Sequence, residues 1–151
     1  MLFRSENVTS ALQKKGWETP SPIQEKTIPL LLKDEKDVVG QAQTGTGKTA
    51  AFSIPIIQHL MSLGRDRRSI KALILTPTRE LALQIDESIA SYSVHVKLKH
   101  AVIFGGVNQN PQVDAIKRGV DVMTATPGRL LDLMQRGPSR ASSRSINFLP
   151  Q

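Results

Sequence analysis

The chain of 151 residues contains no cysteine, which excludes disulfides and thiolate metal sites within it. Aromatic residues make up only 4% of it, so aliphatic side chains must fill most of any core. No apolar run approaches the roughly 18 residues that a membrane-spanning helix needs. The opening stretch, MLFRSENV, lacks the apolar run and small-residue cleavage site of a secretory leader, so the expectation is a cytoplasmic setting. Acids are in deficit: 13 Asp and Glu against 20 Lys and Arg leave a formal charge of +7, which favours a polyanionic partner. Arg136, Arg140 and Arg144 fall in the acid-free residues 135–151, so the rest of the chain is only modestly basic.

What is present alternates regularly. Residues 5–15 read as a short helix closed by Gly16, in the position glycine favours after a helix. WETPSPIQ packs two prolines into a turn, and IQEKTIPLLLK reads as a second helix. KDEKDVVGQA predicts a charged turn followed by a short buried strand. From Lys48 to Met61 the apolar positions recur at helical spacing, with Pro55 as a local bend. KALILTP, KHAVIFGG and VDVMTATP read as three further strands, the first a continuous apolar run of the kind covered on both faces. Between and after them, TRELALQIDESIASY, PQVDAIKRG and GRLLDLM read as helices, with Leu81, Ile85 and Ile89 on one stripe. Strands alternating with helices predict an α/β domain with a mostly parallel sheet and flanking helices. The domain is expected over residues 1–134. Residues 135–151, rich in Ser, Arg, Gly and Pro, are expected to form a disordered tail.

The chemistry is concentrated in DVVGQAQTGTGKTAAF. Ala42, Gln43, Thr44, Gly45, Thr46, Gly47, Lys48 and Thr49 fit the phosphate-loop pattern G-x-x-x-x-G-K-[ST] except at its first position, where Ala42 stands. In such a loop backbone N–H groups turn inward and a helix N-terminus adds the positive end of its dipole. The lysine reaches the outer phosphates and the following hydroxyl meets Mg²⁺, so Lys48 and Thr49 are the catalytic candidates and Thr49 the metal-binding one. A plain glycine-rich connection would not need this lysine and hydroxyl between an apolar run and a helix. The three histidines, His59, His95 and His100, have no metal-ligand spacing.

Five ordered stretches carry a resemblance: GWETPSPIQ (16–24), AQTGTGKT, PTRELA (77–82), Gly105-Gly106 and TPGR (126–129). Together they resemble the first part of the first RecA-like domain of a bacterial-type DEAD-box RNA helicase. The resemblance implies an incomplete RecA-like P-loop NTPase domain that uses ATP and Mg²⁺. It implies that Gln24 reads the adenine edge and that Trp17 stacks on the base. It further implies that Pro77, Thr78, Arg79, Glu80, Gly105, Gly106, Thr126, Pro127, Gly128 and Arg129 contact an RNA sugar-phosphate backbone, with little regard for sequence. On its own, PTRELA reads as a helix start, with Thr78 as cap and Glu80 in the first turn.

The D-E-A-D box that this family uses for hydrolysis does not occur, nor does its S-A-T motif. The two Asp-Glu pairs, Asp34-Glu35 and Asp86-Glu87, have the wrong setting: one precedes the phosphate loop and one falls mid-helix. The resemblance is expected to end near residue 137, as it would for a truncated or shifted reading frame, with sheet strands missing and apolar edge exposed. The expected product is an amino-terminal helicase fragment that binds ATP and RNA with little ATPase or unwinding activity. The alternative is a short non-catalytic ATP- or RNA-binding module.

Overall fold

The computed structural model describes residues 6–33, 37–63 and 69–136. Six helices and three strands occur among them: α1 (Glu6–Lys14), α2 (Pro22–Lys33), α3 (Lys48–Ser62), β1 (Ala72–Leu75), α4 (Arg79–Tyr92), β2 (His100–Ile103), α5 (Asn110–Lys117), β3 (Val122–Ala125) and α6 (Pro127–Arg136). The strands form one parallel sheet in the order β1-β3-β2. Ala72 and His100 both stand opposite Val122, so the three strands are level and all end on the same edge. The expected α/β class with a parallel sheet and flanking helices is what the chain adopts.

The sheet is covered on both faces, and alternation along β3 shows how. Val122 packs with Leu60, Ile74, Ile85 and Ile89 under α3 and α4. Its neighbour Met123 points the other way, with Ala125, into a cluster with Ile103, Val120 and Leu130 of α6. β3, central and buried at all four positions, therefore carries only apolar side chains and Thr124. A further cluster of Val8, Leu12, Ala50, Ile54, Ile57 and Tyr92 ties α1 to α3 and α4.

The cap of α1 fixes the path of the chain into the next turn. Gly16 adopts φ +72°, its N–H bonds to the Gln13 carbonyl at 2.9 Å, and the Trp17 N–H reaches back to Leu12 at 3.2 Å. This paired closure needs a left-handed residue at its centre, which glycine supplies without strain. The turn delivers Trp17 to a set place beside α4.

The buried strand expected before the phosphate loop is not formed. Residues 37–43 carry no regular structure, and Val39 is 99% exposed. A strand exists only where a neighbour offers its backbone. Among the described residues none pairs with this segment, although its sequence has strand propensity. The outer edge of β1 is likewise unpaired there, and Leu75 at its end is 47% exposed. Gln135 and Arg136, expected in the tail, close α6, where Arg136 pairs with Asp132 at 2.6 Å. The tail proper and the Asp34-Glu35 pair lie outside the described residues.

Candidate nucleotide site and adjoining loops

The phosphate-loop pattern lies where α3 begins. Gly45 and Gly47 both have left-handed φ, +81° and +83°, and Gly47 is the N-cap with no side chain bonded to the first turn. The leading N–H groups of α3 are thus left for an outside acceptor, the arrangement that suits an anion. The Lys48 ammonium donates to the Ala42 carbonyl across the mouth of the loop. The Thr46 hydroxyl donates to Gln43 at 2.7 Å, which braces the turn from inside. Gln43, Thr44 and Gly45 are exposed, and Ala42 and Thr49 are half-buried.

The start of α2 clamps this loop from one side. The Ser21 hydroxyl donates to the Thr46 carbonyl at 2.7 Å, and the Gln24 amide donates to the Gly47 carbonyl at 3.2 Å. The Gln24 oxygen accepts from the Ser21 N–H at 3.0 Å. Gln24 is buried, with one amide hydrogen and one lone pair left for a ligand. A Cβ on Gly47 would lie 2.3 Å from the Gln24 nitrogen, so the close approach of loop and amide requires glycine there. A cleft of about 460 Å³ opens between Trp17, Ser21, Gln24 and Gly45–Gly47, in the range of small-molecule sites. Trp17, 39% exposed, borders it while packing its ring 5.8 Å from Tyr92 at a 51° tilt. Burial holds the Tyr92 phenol above its ordinary range, outweighing a hydrogen bond with Ser88 that acts the other way.

The three remaining stretches meet on the same sheet edge. Ladder bonds continue past the strands, Thr76 N–H to Ala125 at 3.0 Å and Thr126 N–H to Ile103 at 2.9 Å, which aligns the loops beyond them. The Thr78 hydroxyl accepts from the Leu81 N–H at 3.2 Å, as expected of a helix cap. Arg79, next in line, lies over the Phe104 ring at 5.2 Å. Arg129 of α6 donates to the Val107 carbonyl at 2.9 Å and to the Gln112 oxygen at 3.3 Å. Pro77, Thr78, Glu80, Gly105, Gly106, Pro127 and Gly128 are exposed along this edge, and Thr126 and Arg129 are half-buried. Ser21 and Gln112 were not singled out from the sequence. The signal for Gln112 is a polar amide four residues before Ile116, on the face of α5 that packs on the core.

Away from this edge, His100 Nδ1 meets Asp86 Oδ1 at 2.7 Å, and that hydrogen bond raises the imidazole above its ordinary value despite partial burial. His95 Nε2 lies 3.1 Å from the Lys14 ammonium. Among the described residues no group of three or more His, Asp or Glu side chains could hold a metal, and no helix is long and apolar enough to cross a membrane.

Residues 21–149 match the family model of the DEAD/DEAH box helicases. The chain belongs to that family. This helicase-family chain is 48% identical over 150 residues to the DEAD-box ATP-dependent RNA helicase RhpA of Helicobacter pylori, covering 99% of itself and 28% of that protein. It is 47% identical over 136 residues to a probable ATP-dependent RNA helicase of Methanocaldococcus jannaschii, covering 90% of itself and 36% of the relative. A crystal structure of a hypothetical ATP-dependent RNA helicase from Sulfolobus tokodaii superposes with a TM-score of 0.77 at 38% identity, over 88% of this chain and 37% of that one. The chain thus spans about a third of the length of these helicase-family relatives. The family match runs to residue 149, past the change of composition near residue 137.

Proposed function

We propose that this chain is the amino-terminal part of the first domain of an ATP-dependent RNA helicase, holding ATP in the cleft beside α3 and an RNA backbone on the adjoining loops. The observation that carries the proposal is convergence: Trp17, Gln24 and the uncapped start of α3 border one cleft, although they come from separate stretches of sequence. In this reading the open N–H groups of Gly45–Thr49 and the Lys48 ammonium bind phosphates, and the Thr49 hydroxyl is the chain's ligand for Mg²⁺. Bound Mg²⁺ would supply charge neutralisation between the outer phosphates. Gln24 uses its spare donor and acceptor on the base, and Trp17 offers it a ring face. The fit is physical: the loop presents donors without a resident acceptor, and Lys48 needs only to leave the Ala42 carbonyl.

Arg79, Arg129, the Gly105-Gly106 turn and the starts of α4 and α6, Pro77 to Glu80 and Thr126 to Arg129, form the proposed RNA grip. Backbone contacts of this kind are indifferent to sequence and weaken with salt. Residues 1–134 are proposed as the partial ATP-binding domain, its last helix running on to Arg136, with the residues beyond as its tail. Little turnover is proposed for the chain by itself. Of its two Asp-Glu pairs the described one, Asp86-Glu87, lies on α4, with Asp86 engaged by His100. That engagement also favours the alternative of a non-catalytic binding module.

The test is titration of the chain with a fluorescent ATP analogue and with labelled single-stranded RNA. Lys48→Ala is expected to weaken nucleotide binding about tenfold or more while leaving RNA binding unchanged. Equal nucleotide affinity for the wild type and Lys48→Ala would sink the assignment.

A further inference from the structure

Gln112 is buried at 8% exposure, and a buried amide is tolerated only when its polar atoms are bonded. It is bonded on both sides with opposite polarity. Its nitrogen donates to the Phe104 carbonyl at 3.0 Å, and its oxygen accepts from Arg129 at 3.3 Å. Arg129 spans to the far end of the same turn through the Val107 carbonyl at 2.9 Å. Gln112 and Arg129 therefore hold the first and last residues of the turn from Phe104 to Val107 between them. The other arginine of this edge leans on the same turn: Arg79 sits over the Phe104 ring, and its Nη1 would be 4.0 Å from a Cβ on Gly106.

We propose that Gln112 is a positioning residue that sets the spacing of Arg79 and Arg129 for an RNA backbone by locking the Phe104–Val107 turn between them. The proposal rests on the RNA-grip reading of these loops and deepens it. The two bonds explain why the residue is an amide. A carboxylate at this place cannot donate to the Phe104 carbonyl and would take Arg129 as an ion partner. A leucine offers neither bond. Arg129 commits two of its five N–H donors to Gln112 and Val107, so three remain for phosphate oxygens while its guanidinium is held in place. An arginine so tethered loses less side-chain freedom on binding than a free one.

The experiment uses the full 151-residue chain and a labelled single-stranded RNA, with affinity measured across a salt series. Nucleotide-analogue binding and the circular dichroism spectrum serve as controls for folding. Gln112→Leu and Gln112→Glu are expected to weaken RNA binding about tenfold with nucleotide binding unchanged. In Gln112→Glu the slope of log affinity against log salt should become shallower by about 0.7, the loss of one phosphate contact on a single strand. The decisive comparison is made in an Arg79→Ala, Arg129→Ala background, where adding Gln112→Leu should cost nothing further if Gln112 acts through these two arginines. Gln112→Leu that folds and binds RNA with wild-type affinity and salt slope overturns the proposal alone. So does a full additive loss in the background that lacks both Arg79 and Arg129 side chains. A wild-type chain with no salt-dependent RNA binding overturns the RNA reading and this proposal with it.

Discussion

Replacing Gly47 by alanine should damage the loop in two separable ways, and Gly45 provides the control. Both glycines have nearly the same left-handed backbone, φ +83° and +81°. An alanine in that region costs about 1–2 kcal/mol through its Cβ and the adjacent carbonyl. At Gly45 nothing lies within 4 Å of the added carbon, so Gly45→Ala should lose only that amount. At Gly47 the added carbon would sit 2.3 Å from the Gln24 amide nitrogen. The amide must swing away, giving up its bond to the Gly47 carbonyl and the Ser21 N–H bond to its oxygen. At about 1 kcal/mol for each, Gly47→Ala should lose about 3–4 kcal/mol in all. Urea unfolding followed by the fluorescence of Trp17, which packs on buried Tyr92, reads both variants directly. The expected result is a gap of about 2 kcal/mol between the two variants. Equal losses would show that the Gln24 amide does not brace the loop, and the clamp formed by the start of α2 would be wrong.

Two more outcomes concern buried polar groups. The Thr124 hydroxyl is fully buried on the central strand with no partner among the described residues, so Thr124→Val, nearly the same shape, should raise unfolding stability by about 1 kcal/mol in the same urea assay. The Asp86 hydrogen bond raises the His100 imidazole above the unfolded value of 6.5, so its stabilisation is fully present below pH 6.5 and is lost as pH rises through the folded value. Denaturation midpoints of the wild type should therefore fall relative to those of His100→Gln across that window, and parallel profiles would refute the coupling.

Local signals were legible in the sequence and long-range partners were not. Gly16 and Thr78 announce a helix end and a helix start, because each satisfies backbone groups within a few residues of itself. The apolar run of β3 declares itself by being covered on both faces, while β1 at the sheet edge is buried only at Ile74. The segment around Val38 and Val39 has the same composition yet forms no strand, since pairing depends on a neighbour and not on propensity. The phosphate loop and the strand-end stretches could be named from their order. That Ser21 and Gln24 grip the loop across 25 and 23 residues, and that Gln112 bonds to Arg129, 17 residues away, lies in tertiary geometry alone. The family match runs to residue 149, beyond the point where the Ser- and Arg-rich composition begins.

Among the described residues nothing pairs with the outer side of β1, which bears on how the chain behaves in a tube. A strand edge with free N–H and C=O groups is a template for another molecule, and the fully exposed Val39 and half-exposed Leu75 add apolar surface to the described part of the chain. Natural edges are usually blunted by charge or proline, and ALIL carries neither. Self-association should therefore rise steeply with protein concentration, and a sedimentation series would register it as a drift toward heavier species. Binding constants for this chain are best taken at micromolar protein or below, where each molecule meets its ligand before it meets its twin.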